Sequence, residues 1–162
     1  MSGHLPIIWL TGNSGAGKTT LAFGAQKYFN REKQSPYCGR VIVLDGDEMR
    51  ASISTEESLI PEDRRRHNLR VARLAKVLQA QDFLVIVAVI APFQSVRDEI
   101  DAICSPVWVY VQRSGLSSHD RPYEPPAHPA CVIDNDVLTR DQAIASFVRF
   151  VGAKFGVSPV AV

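Results

Sequence analysis

Gly12-Asn13-Ser14-Gly15-Ala16-Gly17-Lys18-Thr19 follows the spacing G-x-x-x-x-G-K-[ST], the P-loop pattern. These residue types suit the gripping of a polyphosphate. Glycines 12, 15 and 17 allow backbone angles that a side chain would forbid. Successive N–H groups can then turn inward as a nest for phosphate oxygens. A helix beginning at the loop's end adds partial positive charge at the same place. Lys18 can reach the β- and γ-phosphates, and Thr19 can place its hydroxyl on Mg²⁺. ATP with Mg²⁺ is therefore the expected cofactor pair. It would be held by Gly12, Asn13, Ser14, Gly15, Ala16, Gly17, Lys18, Thr19 and Thr20, with Thr19 and Asp47 toward the metal.

Asp45-Gly46-Asp47 follows the apolar run Val41-Ile42-Val43-Leu44, and Arg50 stands one helical turn on. Acids at the carboxyl end of a parallel strand lie where ligands gather. Asp47 is suited to orienting a nucleophilic hydroxyl or a metal-bound water, alongside Lys18 as the second catalytic group. The plainer reading of Asp47 is an acid at the start of the next helix. Further on, Arg64, Arg65, Arg66, His67, Asn68, Arg70 and Arg73 crowd one stretch. Such a cluster is often a solvated face. Beside an acidic strand end it also suits an anion, because arginine recognises phosphate or sulfate with a planar fork.

The elements that must position these groups can be read from periodicity. Ile7-Ile8-Trp9-Leu10 is a short buried strand before the loop, and residues 20–29 carry apolar positions at helical spacing. Residues 41–44 form a second strand. Pro61 opens a helix running to about Gln81. Residues 83–91 are an almost unbroken apolar run, expected to be the central strand. Residues 93–103 read as a helix, 107–111 as a strand and 130–133 as a last short strand. Thr139 and Gln142 form a capping box for a final helix reaching about Lys154. The tail, 156–162, is expected to be loose. Strand and helix alternation predicts an α/β fold, a doubly wound parallel sheet of about five strands between two helical layers. One domain over 1–162 accounts for the length.

A net charge of +1 over 162 residues gives no broad field for nucleic acid or an anionic membrane. No apolar run is long enough to span a bilayer, and the first residues lack a signal-peptide pattern. Cys38, Cys104 and Cys131 are too dispersed for a metal or disulfide framework, which fits thiols in a reducing cytoplasm. The four histidines show no zinc spacing. The expected partner is a small anionic substrate, with no nucleic acid and no membrane. A homodimer is compatible with this reading.

The assembled motifs resemble the adenylylsulfate kinase family, P-loop kinases that phosphorylate the 3′-hydroxyl of adenosine 5′-phosphosulfate (APS). The resemblance rests on 9–20, on Leu44-Asp45-Gly46-Asp47 with Arg50, and on Asp63-Arg64 with Asn68-Leu69-Arg70. It extends to Ile90-Ala91-Pro92-Phe93 with Arg97, and to Asp120 with Pro122-Tyr123-Glu124-Pro125-Pro126. It implies a three-layer P-loop kinase fold and transfer of the ATP γ-phosphate to a small acceptor, APS or another metabolite. By it, Asp45, Arg50, Arg64 or Arg65, Asn68, Arg70, the backbone near Ile90 and Arg97 would hold the substrate. The spacing between Asp63-Arg64 and Asn68 exceeds the family's by one residue, so the arginine role falls to Arg64 or Arg65.

One departure follows Arg113. The family carries a long basic lid there, whereas Gly115-Leu116-Ser117-Ser118-His119 bridges the same interval here. The two phenylalanines that sandwich the substrate adenine are also replaced, one by Leu59 or Ile60 and the other by nothing. Arg113, Arg121 or a partner subunit would have to supply the missing charge. The alternative is a lidless, kinase-like nucleotide-binding or regulatory protein.

Overall fold

The computed structural model describes residues 4–116 and 118–154. Ser117 and the tail expected to be loose lie outside the described residues. The elements run β1 (Ile7–Thr11), α1 (Lys18–Arg31), β2 (Val41–Asp45), α2 (Gly46–Ser52), α3 (Pro61–Ala80), β3 (Leu84–Ala88), α4 (Gln94–Cys104), β4 (Val107–Gln112), β5 (Cys131–Asp134) and α5 (Arg140–Lys154).

The five strands form one sheet in the order β2-β3-β1-β4-β5, with every pairing parallel. The middle place belongs to β1, not to the long apolar run as expected. That run forms β3, one position off centre and flanked on both sides, which is enough to demand apolar residues on both faces. It is also shorter than its hydrophobicity suggested. Past Ala88 the chain leaves the sheet, and buried Ala91 takes a left-handed φ of 47°.

Side-chain alternation along the strands divides the core into two layers. Ile8 and Leu10 of β1 face α1 and α5, packing with Leu21, Ala22, Ala25, Phe29, Phe147 and Val151. Ile7 and Trp9 face the other way, toward α3 and α4, with Val71, Ala72, Ala75, Val96 and Ile100. Buried Trp9 satisfies its indole N–H on the Val89 carbonyl at 2.8 Å. The expected capping box holds α5: Gln142 N–H donates to Thr139 Oγ1 at 3.3 Å, and Thr139 N–H donates to Gln142 Oε1 at 2.9 Å.

This sandwich puts the carboxyl ends of β1, β2 and β3 side by side. Asp45 is in register with Ala88, and Leu10 with the same residue from the other side. The P-loop and the acidic strand end are thereby brought together.

Candidate active site

The loop between β1 and α1 keeps its shape through close backbone approach. A Cβ on Gly12 would stand 2.4 Å from the Val111 carbonyl oxygen, so only glycine fits against β4. Gly17 has φ 109°, and a Cβ there would meet Asn135 Nδ2 at 2.6 Å. Asn135, just past β5, donates that amide to the Ala16 carbonyl at 2.6 Å and so clamps the loop from behind. Arg113 adds a hydrogen bond to the Gly15 carbonyl at 3.0 Å.

Lys18 is 7% exposed and donates to the Gly12 and Asn13 carbonyls, each at 2.8 Å. Burial lowers its pKa to about 8, against an opposing pull from Asp45 and then Asp47. The ammonium is held over its own loop, and the loop stays open. A cleft of about 340 Å³ lies in front of it. Its lining includes Asn13, Ser14, Gly15, Lys18 and Thr19 from the loop, and Asp45, Gly46, Asp47 and Arg50 from β2 and α2. Arg64, His67 and Asn68 come from α3, and residues 88–92 from the end of β3. Leu59, Arg121 and Pro122 complete the wall. Gly12 and Ala16 are buried, and Gly12, Ala16, Gly17 and Thr20 stand behind or beside the lining rather than in it.

Thr19 Oγ1 donates to Asp45 Oδ1 at 2.6 Å. Asp45 occupies the N-cap position of α2, yet its side chain caps nothing and faces Thr19 instead. Asp47 is exposed in the first turn of α2 and lines the same cleft. A hydroxyl and a carboxylate this close suit a hard divalent cation. Among the described residues no cluster of three His, Cys, Asp or Glu could cage a metal alone. That combination fits Mg²⁺, which is commonly bound by one or two protein oxygens with waters and substrate phosphates.

Three predicted substrate residues do not reach the cleft. Arg65 turns toward α4, donating to Glu99 Oε1 at 2.8 Å and Oε2 at 2.5 Å. Arg70 braces the α2–α3 connection through the Ile53 carbonyl at 2.7 Å, Ser54, Glu56 and Glu57. Arg97 is 1% exposed and donates to the carbonyls of Ala91 at 2.8 Å and Glu124 at 2.6 Å. The correction has a helical cause. Residues three and four apart share a face, so Arg64, His67 and Asn68 look into the cleft while Arg65 is rotated toward α4. Of the two candidates, Arg64 is the one that lines the cleft. Ile90 lines the cleft, but its carbonyl already accepts from Thr11 Oγ1 at 2.7 Å.

The α3 wall is electrostatically unfinished. Burial first, and then the Arg64 charge, push the Arg50 pKa below its usual value. His67 is 1% exposed, and among the described residues neither of its ring nitrogens nor Asn68 Nδ2 has a hydrogen-bond partner. Burial, then Arg50 and Arg70, hold the His67 pKa down to about 4, so the ring is neutral at pH 7. Buried polar groups without partners are costly. Two adjacent ones beside gathered guanidiniums mark a wall suited to an anionic, hydrogen-bonding ligand. Sequence reasoning counted His67 in the basic cluster but gave it no role. Its place at i+3 from Arg64 was the available signal.

Comparisons with known proteins agree with this geometry. The family model described as adenylylsulphate kinase matches residues 5–114. An adenylyl-sulfate kinase of Geotalea uraniireducens is 31% identical over 93% of this chain and 82% of its own length. That of Bacillus pumilus is 33% identical over 91% of this chain and 85% of its own. Among solved structures, a hexameric APS kinase from Thiobacillus denitrificans superposes with a TM-score of 0.77 at 26% identity, covering 96% of this chain and 30% of that one. With its P-loop, acid-ended second strand and matched model on the same residues, the chain belongs to the adenylylsulphate kinase family.

Proposed function

We propose that this protein transfers the γ-phosphoryl group of Mg-ATP to a hydroxyl of a small anionic acceptor, with the 3′-hydroxyl of APS as the foremost candidate. The observation that carries the reading is one cleft shared by two walls. One is the loop with Lys18 and Thr19, and the other bears Arg50, Arg64 and Asn68. The first suits a nucleotide triphosphate and the second an acceptor with its own anionic group.

In this reading the loop amides and Lys18 fix the β- and γ-phosphates. Thr19 with Asp45 or Asp47 would hold Mg²⁺, which when bound offsets charge on the phosphates. Arg50, Arg64 and Asn68 orient the acceptor by its anionic group and hydrogen bonds. Asp47 takes the proton of the attacking hydroxyl, a role that requires a carboxylate within reach of that oxygen. Leu59, 64% exposed at the rim, offers an apolar contact to a planar group such as adenine. Location in the cytoplasm fits this chemistry. Among the described residues no helix is long and apolar enough to cross a membrane.

The test is ADP release from Mg-ATP with and without APS, paired with nucleotide calorimetry on Lys18→Ala. APS-dependent release in the parent and lost ATP affinity in the variant are expected. Tight ATP binding with no release under any hydroxyl acceptor would leave a nucleotide-binding module instead.

A further inference from the structure

The segment from Arg121 to Glu124 is fastened across the carboxyl ends of β1 and β3. The Tyr123 hydroxyl meets Thr11 Oγ1 at 2.9 Å, and its ring stacks on Tyr110 with centroids 6.0 Å apart. Glu124 donates its backbone N–H to the Pro92 carbonyl at 2.9 Å and accepts from Gln94 N–H at Oε2, also 2.9 Å. Arg97 donates to the Glu124 carbonyl and lies 5.8 Å over the Tyr123 ring. On the other side, the Arg121 N–H closes a turn on the Ser118 carbonyl at 3.0 Å. A short, tied strap therefore presents Arg121 at the cleft wall.

The arginines around the cleft fall into two groups. Arg50, Arg65, Arg66, Arg70, Arg97 and Arg113 are engaged with carboxylates or carbonyls. Arg64 and Arg121 line the cleft, and neither guanidinium has a hydrogen bond or ion pair with the described residues. Arg64 stands on α3 among the groups that face the acceptor. Arg121 comes from the strap that is bonded to Thr11 at the end of β1 and to Pro92 past β3. Arg113, the other candidate for this charge, is spent on the Gly15 carbonyl.

We propose that Arg121 is a catalytic arginine that contacts the transferring phosphoryl group, supplying charge in cis from a fixed strap. The inference rests on the phosphotransfer reading above. As the acceptor oxygen bonds to the γ-phosphorus, the bond to the β–γ bridging oxygen breaks and its electron pair leaves with ADP. The hydroxyl proton passes to Asp47 and on to solvent. The guanidinium keeps its protons throughout and offers a planar set of donors to the equatorial oxygens. An arginine in this position is worth orders of magnitude in rate in phosphoryl transfer.

The test compares the parent with Arg121→Ala and Arg121→Lys, with melting temperature as a check on the fold. Affinity for ADP alone and for ADP with Mg²⁺ and tetrafluoroaluminate, a mimic of the phosphoryl group in flight, is measured by calorimetry. Arg121→Ala is expected to weaken the fluoroaluminate complex more than about tenfold while ADP affinity stays unchanged. With APS, kcat should fall about 100-fold or more, and added guanidinium ion should restore part of it. Lysine should recover a fraction. Equal fluoroaluminate affinity in parent and Arg121→Ala, or a change confined to the acceptor KM, overturns the proposal. If the parent shows no turnover with APS, the acceptor assignment fails, and the fluoroaluminate comparison still decides the role of Arg121.

Discussion

Thr19 donates a hydrogen bond to Asp45 across 2.6 Å, tying the first turn of α1 to the carboxyl end of β2. Asp47, two residues on, faces the same cleft from an exposed position in α2. The two carboxylates therefore have different surroundings, and different work is expected of them. Asp45→Asn should raise the Mg²⁺ concentration needed for half-maximal turnover. Asp47→Asn should lower kcat by roughly 10²–10⁴ with little change in that concentration, as loss of a general base does. Magnesium titrations of both variants check the split. An unaltered Mg²⁺ requirement in Asp45→Asn would transfer the metal to Asp47.

Lys18 loses its proton at about pH 8 in the free protein because burial disfavours the ammonium. Bound triphosphate favours the charged form, so nucleotide binding should take up a proton above that pH. ATP affinity is expected to be flat below pH 7 and roughly tenfold weaker at pH 9, where most of the free protein is deprotonated. Calorimetry in buffers of different ionisation enthalpy reads the proton directly. An ATP affinity that stays flat from pH 7 to pH 9, with no proton taken up, would overturn this account of Lys18.

His67 is buried and neutral, with its pKa depressed from 6.5 to about 4. The unfolded chain then binds more protons between those values, so stability falls as pH drops from 6.5 toward 4 and is fully present above. The loss by pH 4 should be about 3 kcal/mol. His67→Gln keeps a neutral hydrogen-bonding side chain and should flatten this part of the stability profile in urea melts. A profile unchanged by the substitution would place the acid sensitivity elsewhere.

Arg97→Leu strips donors from the Ala91 and Glu124 carbonyls. Leaving the buried Ala91 carbonyl and the half-buried Glu124 carbonyl unsatisfied should cost about 2–4 kcal/mol, read as a lower urea midpoint with an unchanged slope. Because Glu124 anchors the strap that bears Arg121, kcat should fall as well. An Arg97 that held substrate directly would instead raise the acceptor KM while sparing stability.

What was legible in the sequence is local. The P-loop is contiguous, so its glycines and Lys18 announce themselves within one stretch of chain. The strands are uniform apolar runs because parallel strands between helical layers are buried on both faces. Even the acid end of β2 is visible as Asp45 after Val41-Ile42-Val43-Leu44. Which strand takes the centre is not legible, because β1 and β3 are both flanked and hydrophobicity alone cannot rank two flanked strands.

Side-chain direction was not legible. Arg64 and Arg65 are adjacent and chemically identical, yet one faces the cleft and the other pairs with Glu99. That outcome depends on the rotation of α3 about its axis, which is fixed by packing Val71, Ala72 and Ala75 against the sheet and α4. Arg97 looked like a substrate group until the fold closed Glu124 over it.

The sequence by itself determined the phosphate-gripping loop, the parallel α/β arrangement and the acid beside them, since each depends on residues near one another in the chain. The tertiary structure decided which arginines line the cleft and which are paired within the fold. It gave Thr19 the partner Asp45, buried His67 without a hydrogen bond to the described residues, and carried Arg121 to the cleft. The physical reason is that such pairings join residues far apart in sequence, and their geometry exists only after the helices have packed.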